Sequence, residues 1–246
     1  MYLSLADFKK RVEFSLCNPA ASDDQVRAFC ERALAARVGV VCLNPVNLPL
    51  AKELLGGRGL LISGNVGFPF GSHSSKVKAL EARLAIEAGA DQIDMVANIG
   101  AIRSGEDRLV IEDIRAVVEA AQGRLVKAII ETWVLTPEEK ERASRLAEEA
   151  GAGMVKTSTG VRTQYLLELN PEPIGASLED IRLMRRVLKP ATRIKASGGI
   201  YSLDDALAML RAGADQLGMS QGEKVIAQFE ARFGQGMELE PEEKGR

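Results

Sequence analysis

Two lysines interrupt short apolar runs in this chain of 246 residues. Lys156 stands in Met154-Val155-Lys156-Thr157-Ser158-Thr159-Gly160, and Lys195 in Arg193-Ile194-Lys195-Ala196-Ser197-Gly198-Gly199. Each run has the character of a buried strand that breaks into small polar residues and glycine. A buried ammonium loses its water, which lowers its pKa, and a second ammonium close by lowers it further. A lysine that is neutral near pH 7 is a nucleophile towards carbonyl carbon. One lysine on a strand usually lies at an exposed edge and would carry little weight. Two on consecutive candidate strands, each followed by a Ser/Thr-Gly turn, point to imine chemistry.

Four more charged residues sit inside apolar runs: Glu13, Asp94, Lys127 and Glu131. With the two lysines they make three anions and three cations, which can neutralise one another in a shared interior. Lys156 and Lys195 fall on the sixth and seventh candidate strands. Strands about 4.8 Å apart let two inward side chains meet. Asp94 and Lys127 are placed in the same way on the fourth and fifth. A carboxylate beside a lysine stays ionised and can pass protons. Lys127 and Glu131 read as supporting residues.

The elements that position these residues alternate along the chain. Eight candidate strands lie near Val12–Leu16, Val38–Leu43, Leu60–Val66, Gln92–Ala97, Leu125–Glu131, Gly153–Ser158, Thr192–Ser197 and Asp215–Met219. Amphipathic helices between them include Ser75–Ala88, Arg108–Ala121, Pro137–Ala150, Leu178–Leu188, Leu203–Arg211 and Glu223–Phe233. Thr136, Ser177 and Ser202 stand at N-cap positions. Ala-Gly-Ala recurs at Gly89, Gly151 and Gly213, where a helix end calls for positive φ. This faint repeat predicts an α/β fold, a single (β/α)8 TIM barrel with an N-terminal helix, over an open doubly wound sheet. The barrel is expected to span residues 1–236, with 237–246 a charged, mobile tail. Residues 161–175 read as a long loop with a short helix.

Such a barrel carries its site at the C-terminal ends of the strands, with a phosphate seat after the seventh and eighth. Ser197-Gly198-Gly199 and Gly218-Met219-Ser220-Gln221-Gly222 fall there, each ahead of a helix. Backbone N–H groups at a helix start favour a phosphate. Arg162, in the long loop, is placed to add charge.

Composition narrows the field. The net charge is -2 and 46% of residues are hydrophobic. That balance gives no general pull towards nucleic acid or anionic membrane. Cys17, Cys30 and Cys42 form no CxxC, and His73 is the single histidine. No metal site and no disulfide framework is expected. The first ten residues have no signal-peptide core, and no run is long enough to span a bilayer, so the expected setting is the cytoplasm.

These segments together carry a family resemblance. Val41-Cys42-Leu43-Asn44-Pro45, Gly67-Phe68-Pro69-Phe70-Gly71, Gln92-Ile93-Asp94-Met95-Val96, Val126-Lys127-Ala128-Ile129-Ile130-Glu131-Thr132 and both lysine runs occur in an order and spacing specific to one family. From Val12 to Gly222 the chain resembles the deoxyribose-phosphate aldolases. The resemblance implies a class I aldolase without metal or other cofactor. Such enzymes reversibly split 2-deoxyribose 5-phosphate, a phosphorylated sugar, into glyceraldehyde 3-phosphate and acetaldehyde. It further implies Lys156 as the Schiff-base lysine, Lys195 as the perturbing cation and Asp94 as the proton relay. Glu13 and Ser15, Thr159 and Gly160, Gly198 and Gly199, and Ser220 and Gln221 are then expected to bind substrate and its phosphate. The family commonly forms homo-oligomers. Three places depart from its pattern: Glu13-Phe14-Ser15 replaces Asp-x-Thr, Ser220-Gln221 replaces a serine pair, and the link from Gly160 to Gly175 is longer. They leave two alternatives open, an aldolase for another aldehyde and a catalytically silent sugar-phosphate-binding barrel.

Overall fold

Eight parallel strands close on themselves to form a barrel. The computed structural model describes residues 2–171, 175–240 and 242. A strand, β1 (Tyr2–Ser4), and a helix, α1 (Leu5–Arg11), precede the first barrel strand, β2 (Val12–Leu16). Then come α2 (Asp23–Ala36), β3 (Val40–Leu43), α3 (Leu48–Leu55), β4 (Leu61–Val66), α4 (Ser75–Glu87), β5 (Gln92–Val96), α5 (Ile99–Ser104) and α6 (Asp107–Ala120). The second half holds β6 (Leu125–Ile129), α7 (Pro137–Glu149), β7 (Met154–Lys156), α8 (Gln164–Leu169) and α9 (Leu178–Val187). It ends with β8 (Arg193–Ser197), α10 (Leu203–Arg211), β9 (Gln216–Met219), α11 (Gly222–Phe233) and β10 (Gly236–Glu238). Every expected strand contains an observed one, and the fold is the expected (β/α)8 barrel with an N-terminal helix. The strands are shorter than their apolar runs by up to three residues, because the runs continue into buried loops. Helices α2 and α3 were not singled out from the sequence, and α8 is the short helix of the long loop.

Local chemistry accounts for the element ends. Thr136 accepts from the Glu139 N–H while Glu139 bonds back to the Thr136 N–H, with Pro137 in the first turn. Ser202 and Asp205 make the same reciprocal pair on α10, and Ser177 accepts from the Asp180 N–H on α9. Each satisfies N–H groups that a helix start leaves unpaired. Gly89, Gly151 and Gly213 have φ of 105°, 93° and 112°, a backbone region that favours glycine.

The N-terminal elements close the bottom of the barrel. Gly39, just before β3, donates to the Lys9 carbonyl, and a Cβ there would meet Lys10 O at 2.4 Å. Phe8 of α1 stacks on Phe229 of α11 with centroids 4.4 Å apart. Antiparallel pairing of β1 with β10 ties the two chain ends together. Met237 and Glu238, the start of the expected tail, lie in β10, and Leu239 is buried. Arg182 grips Glu242 with two hydrogen bonds of 2.6 and 2.7 Å. Residues 241 and 243–246 of that segment, and Pro173 in the long loop, lie outside the described residues. Among the described residues no helix is long and apolar enough to cross a membrane.

Candidate active site

Parallel register sets the lysines side by side. Lys156 pairs with Lys195 across β7 and β8, and Asp94 pairs with Lys127 across β5 and β6. All four are buried in the upper barrel. Asp94 is the hub. Its Oδ2 accepts from Lys156 Nζ at 2.7 Å and from Lys195 Nζ at 2.6 Å. Its Oδ1 lies 2.8 Å from Lys127 Nζ and accepts from Ser63 Oγ at 2.8 Å. Glu13, from β2, completes the cluster: Lys127 Nζ donates to its Oε2 and Lys195 Nζ to its Oε1.

Charge is unequally shared within this group. Three lysines face two carboxylates. Lys127 and Lys195 each touch both carboxylates, whereas Lys156 touches Asp94 alone. Burial works against the Lys195 ammonium, but Asp94 and Glu13 outweigh it and raise its pKa above the ordinary lysine value. Lys127 is raised for the same reasons. Burial also opposes ionisation of Asp94, yet Lys127, Lys156 and Lys195 together hold its carboxyl well below the usual range. Glu13 is lowered as well, against burial and the repulsion of Asp94. Lys127 and Lys195 are thus standing cations.

Above this cluster a cavity of about 270 Å³ opens at the C-terminal ends of the strands. Ser15, Thr159, Gly160, Gly198, Gly199 and Ser220, all expected from the sequence, line it. So do Arg162 and Met219, from loops expected there, and Cys17, Asn18 and Tyr201, to which the sequence assigns no role in a site. Glu13 lies beneath the cavity, in the lysine cluster, and does not line it. Gln221 starts α11 and accepts from Lys224 at 3.1 Å, also away from the cavity lining. His73 is exposed at the approach to α4. Ser63 was missed, although a lone serine at an inward position of an apolar run is a readable signal.

Backbone shape makes the upper wall. Gly198 and Gly199 have φ of 79° and 74°. Thr157 Oγ1 bridges the Ser197 N–H and carbonyl at 3.1 and 3.3 Å, locking the loop after β8 to the end of β7. Glu131 supports the neighbouring loop: its carboxylate accepts the Thr159 N–H at 3.1 and 3.3 Å. Burial raises the Glu131 pKa, opposed by that Thr159 bond. Glu131 also holds φ of 55°, a strained value for a non-glycine residue. Its role is to position the Thr159-Gly160 turn.

Gly218 shows how tightly the wall meets the lysines. A Cβ there would lie 2.6 Å from Ser197 Oγ and 2.9 Å from Lys195 Cε. Lys195 is tied at its far end by two carboxylates and cannot yield freely. Gly218→Ala is expected to lower stability by about 1–3 kcal/mol. A shift of the urea midpoint at unchanged slope would show it; an unshifted midpoint would mean the wall can relax.

Comparison with known proteins follows the same outline. The model of the DeoC/LacD family aldolases matches residues 7–228. The deoxyribose-phosphate aldolase of Streptococcus sanguinis is 44% identical over 222 residues, covering 90% of this chain and 96% of that protein. The deoxyribose-phosphate aldolase of Thermotoga maritima is 41% identical over 230 residues, 94% of this chain and 89% of that protein. Among solved structures, the tetrameric deoxyribose phosphate aldolase of Aeropyrum pernix superposes with a TM-score of 0.81 at 30% identity, covering 93% of each chain.

Proposed function

The chain belongs to the DeoC/LacD family of aldolases, and on that premise we propose that it cleaves 2-deoxy-D-ribose 5-phosphate through an imine on Lys156. The observation that carries this reading is the sharing of Asp94 Oδ2 between Lys156 and Lys195. It sets a nucleophile, a proton carrier and a standing cation within hydrogen-bond reach of one another.

The steps follow from that arrangement. The Lys156 amine adds to the C1 aldehyde carbon and water leaves, giving a protonated imine. The imine withdraws electrons along C1–C2. Removal of the C3 hydroxyl proton breaks C2–C3, releases D-glyceraldehyde 3-phosphate and leaves an enamine on Lys156. Protonation of the enamine at C2 and hydrolysis of the imine return acetaldehyde and the free lysine. Asp94 is suited to carry these protons because it contacts both Lys156 and Lys195. Nucleophilic attack needs a free amine, and Lys156 is the lysine with one carboxylate partner rather than two. Lys127 and Glu13 hold Asp94 and Lys195 in place. The reaction proposed for these residues calls on no metal or other cofactor.

The phosphate is assigned to the loops after β7, β8 and β9. Thr159-Gly160, Gly198-Gly199 and Ser220 supply backbone and hydroxyl groups there, and among the described residues Arg162 is the one permanently charged side chain lining the cavity. Arg162→Ala is expected to raise KM for the phosphorylated sugar about tenfold with kcat little changed. Cleavage of unphosphorylated 2-deoxyribose should not respond, and the KM difference should shrink as salt is added. Equal losses on both sugars would place Arg162 outside phosphate recognition.

Turnover of deoxyribose 5-phosphate, followed by release of acetaldehyde, tests the substrate. If another aldehyde is turned over far better, the chain is an aldolase of different specificity. Residues 1–236 act in this reading as one catalytic domain, in the cytoplasm, with no nucleic-acid or membrane partner. A homo-oligomer belongs to it too. The tetrameric relative supports that, as does an exposed apolar row on α4, at Val77, Leu80 and Leu84. Sedimentation as a monomer at micromolar concentration would remove this part.

A further inference from the structure

Two free cysteines meet at the cavity beside the lysine cluster, and the proposed reaction uses neither. Cys17 follows β2 directly and lines the cavity, half-buried. Cys42 lies on β3 and is buried. Ser15 pairs with Cys42 across the two strands. Cys17, two residues further along, therefore points to the same face. The Asn65 side chain touches both sulfurs. Its Nδ2 donates to Cys17 Sγ at 3.3 Å, and its Oδ1 accepts from Cys42 Sγ at 3.2 Å. Cys42 also lies within hydrogen-bonding reach of Cys17.

We infer that Cys17 and Cys42 form a peroxide-sensitive thiol pair, which closes to a disulfide and switches the barrel off. The geometry divides the labour. Cys17 faces the cavity, so a small peroxide can reach it. Cys42 is screened from solvent and lies against the same Asn65 amide, placed to resolve the product.

The electrostatics agree with this division. The Cys42 thiol, as hydrogen-bond donor, lowers the Cys17 pKa to about 7, against the effect of burial; Asn65 and the charge of Lys156 add to the lowering. A thiolate at neutral pH is the form that attacks. The same contact with Cys17, and then burial, push Cys42 up, which keeps its proton in place until it is needed. Cys42 has one proton to give, to Asn65 or to Cys17, and ionisation of Cys17 draws it to the sulfur. Cys30 is the internal contrast: it is buried away from the cavity, and burial raises it to about 11.

The steps balance. The Cys17 thiolate attacks one peroxide oxygen, the O–O bond breaks, and an alkoxide or hydroxide leaves. That leaving group takes up the proton released when the thiol ionised. Sulfur is oxidised by two electrons to the sulfenic acid, and the peroxide is reduced by two. The Cys42 sulfur then attacks the Cys17 sulfur, the S–O bond breaks, and the hydroxyl leaves as water with the Cys42 proton. A disulfide of about 2.05 Å must then replace a hydrogen-bonded contact. Closure draws Cys42 away from Asn65, and the ligand atoms of Cys42, Glu13 and Asp94 all lie within 4.8 Å of one another. Movement of Cys42 therefore disturbs the carboxylates that hold the lysines.

The test treats the full chain with hydrogen peroxide, alkylates the remaining thiols and digests with trypsin. Cys17 falls in the fragment from Val12 to Arg27, and Cys42 in that from Val38 to Lys52. The expected result is a linked pair of these two fragments, with Cys30 still alkylated. Aldolase activity should fall severalfold with the same time course, and dithiothreitol should restore both. Cys17→Ser, measured against its own untreated sample, should keep its activity through the treatment. Both thiols remaining open to alkylation, or a Cys17→Ser protein that loses activity as fast as the wild type, would overturn the inference. The activity arm rests on the aldolase reading, but the fragment mass does not. A linked pair in a protein without aldolase activity would count against that reading alone.

Discussion

Lys156→Arg is expected to abolish turnover of deoxyribose 5-phosphate, lowering kcat/KM by about 10⁴-fold or more. That is on the order of 5 kcal/mol of transition-state stabilisation. Arginine keeps the positive charge facing Asp94 but cannot form an imine at neutral pH. Folding should survive, because Lys156 makes one carboxylate contact, which arginine can keep. The covalent step has its own readout. Wild type treated with acetaldehyde and borohydride should gain a reduced two-carbon adduct on the fragment containing Lys156, and Lys156→Arg should gain none. An adduct on Lys195 instead would reverse the roles of the two lysines. Turnover unchanged in Lys156→Arg would sink imine catalysis at Lys156 outright, and a wild type that turns over no aldehyde substrate would support the silent-barrel alternative.

Asp94→Asn has the second largest expected effect, and it acts on both activity and stability. The carboxamide fills the same space but leaves Lys127 and Lys195 with Glu13 alone and Lys156 with no carboxylate contact. Removing one partner from a buried ionic group costs about 3–5 kcal/mol. Loss of the proton carrier should lower kcat by about 10²- to 10⁴-fold. Urea denaturation and initial rates measure the two effects separately.

The pH dependence gives a sharper check. Asp94 and Glu13 both have folded-state pKa values below their ordinary ones. Their stabilisation is complete above the unfolded values, about 4. It is lost as pH falls through the lower folded values, because the unfolded chain takes up protons first. Wild type should therefore lose stability steeply below about pH 4, and Asp94→Asn should lose less over the same range. Lys127 and Lys195 are raised, so their contribution is present at neutral pH and fades as pH rises through their folded values. An identical acid slope in wild type and Asp94→Asn would show that Asp94 is not the hub of the cluster.

Much of the site could be read from residue types and spacing. An apolar strand that carries a lysine is unusual, and parallel strands with inward alternation make neighbours of lysines on consecutive strands. Lys156 with Lys195 and Asp94 with Lys127 followed from that rule, and the register bears out both pairings. The glycine loops after the last two barrel strands followed from chain order. Helix caps at Thr136, Ser177 and Ser202 were legible because an N-cap depends on side chains within one turn.

Glu13 was harder to place. In the sequence it is one carboxylate on a short strand, which counts among the six charges of a shared interior, while the family resemblance implies a substrate-binding role for it. Barrel closure brings it to Lys195, 182 positions away along the chain. Strand tilt and stagger decide which residues of distant strands share a layer, and local sequence carries no record of either. The Cys17, Asn65 and Cys42 cluster was hidden for the same reason: none of the three stands out alone, and only packing sets both sulfurs against one amide.

By itself, then, the sequence determined the barrel, the imine chemistry and the two lysines that are candidates for it. These rest on periodicity and on the cost of burying charge, which are local properties. Only the tertiary structure decided how the charge is shared. It gave Lys127 and Lys195 two carboxylates each and Lys156 one, and so set Lys156 apart as the lysine with the fewest anionic partners. Coulomb interactions depend on distance in space, and the distances among Glu13, Asp94 and the three lysines exist only once the barrel has closed.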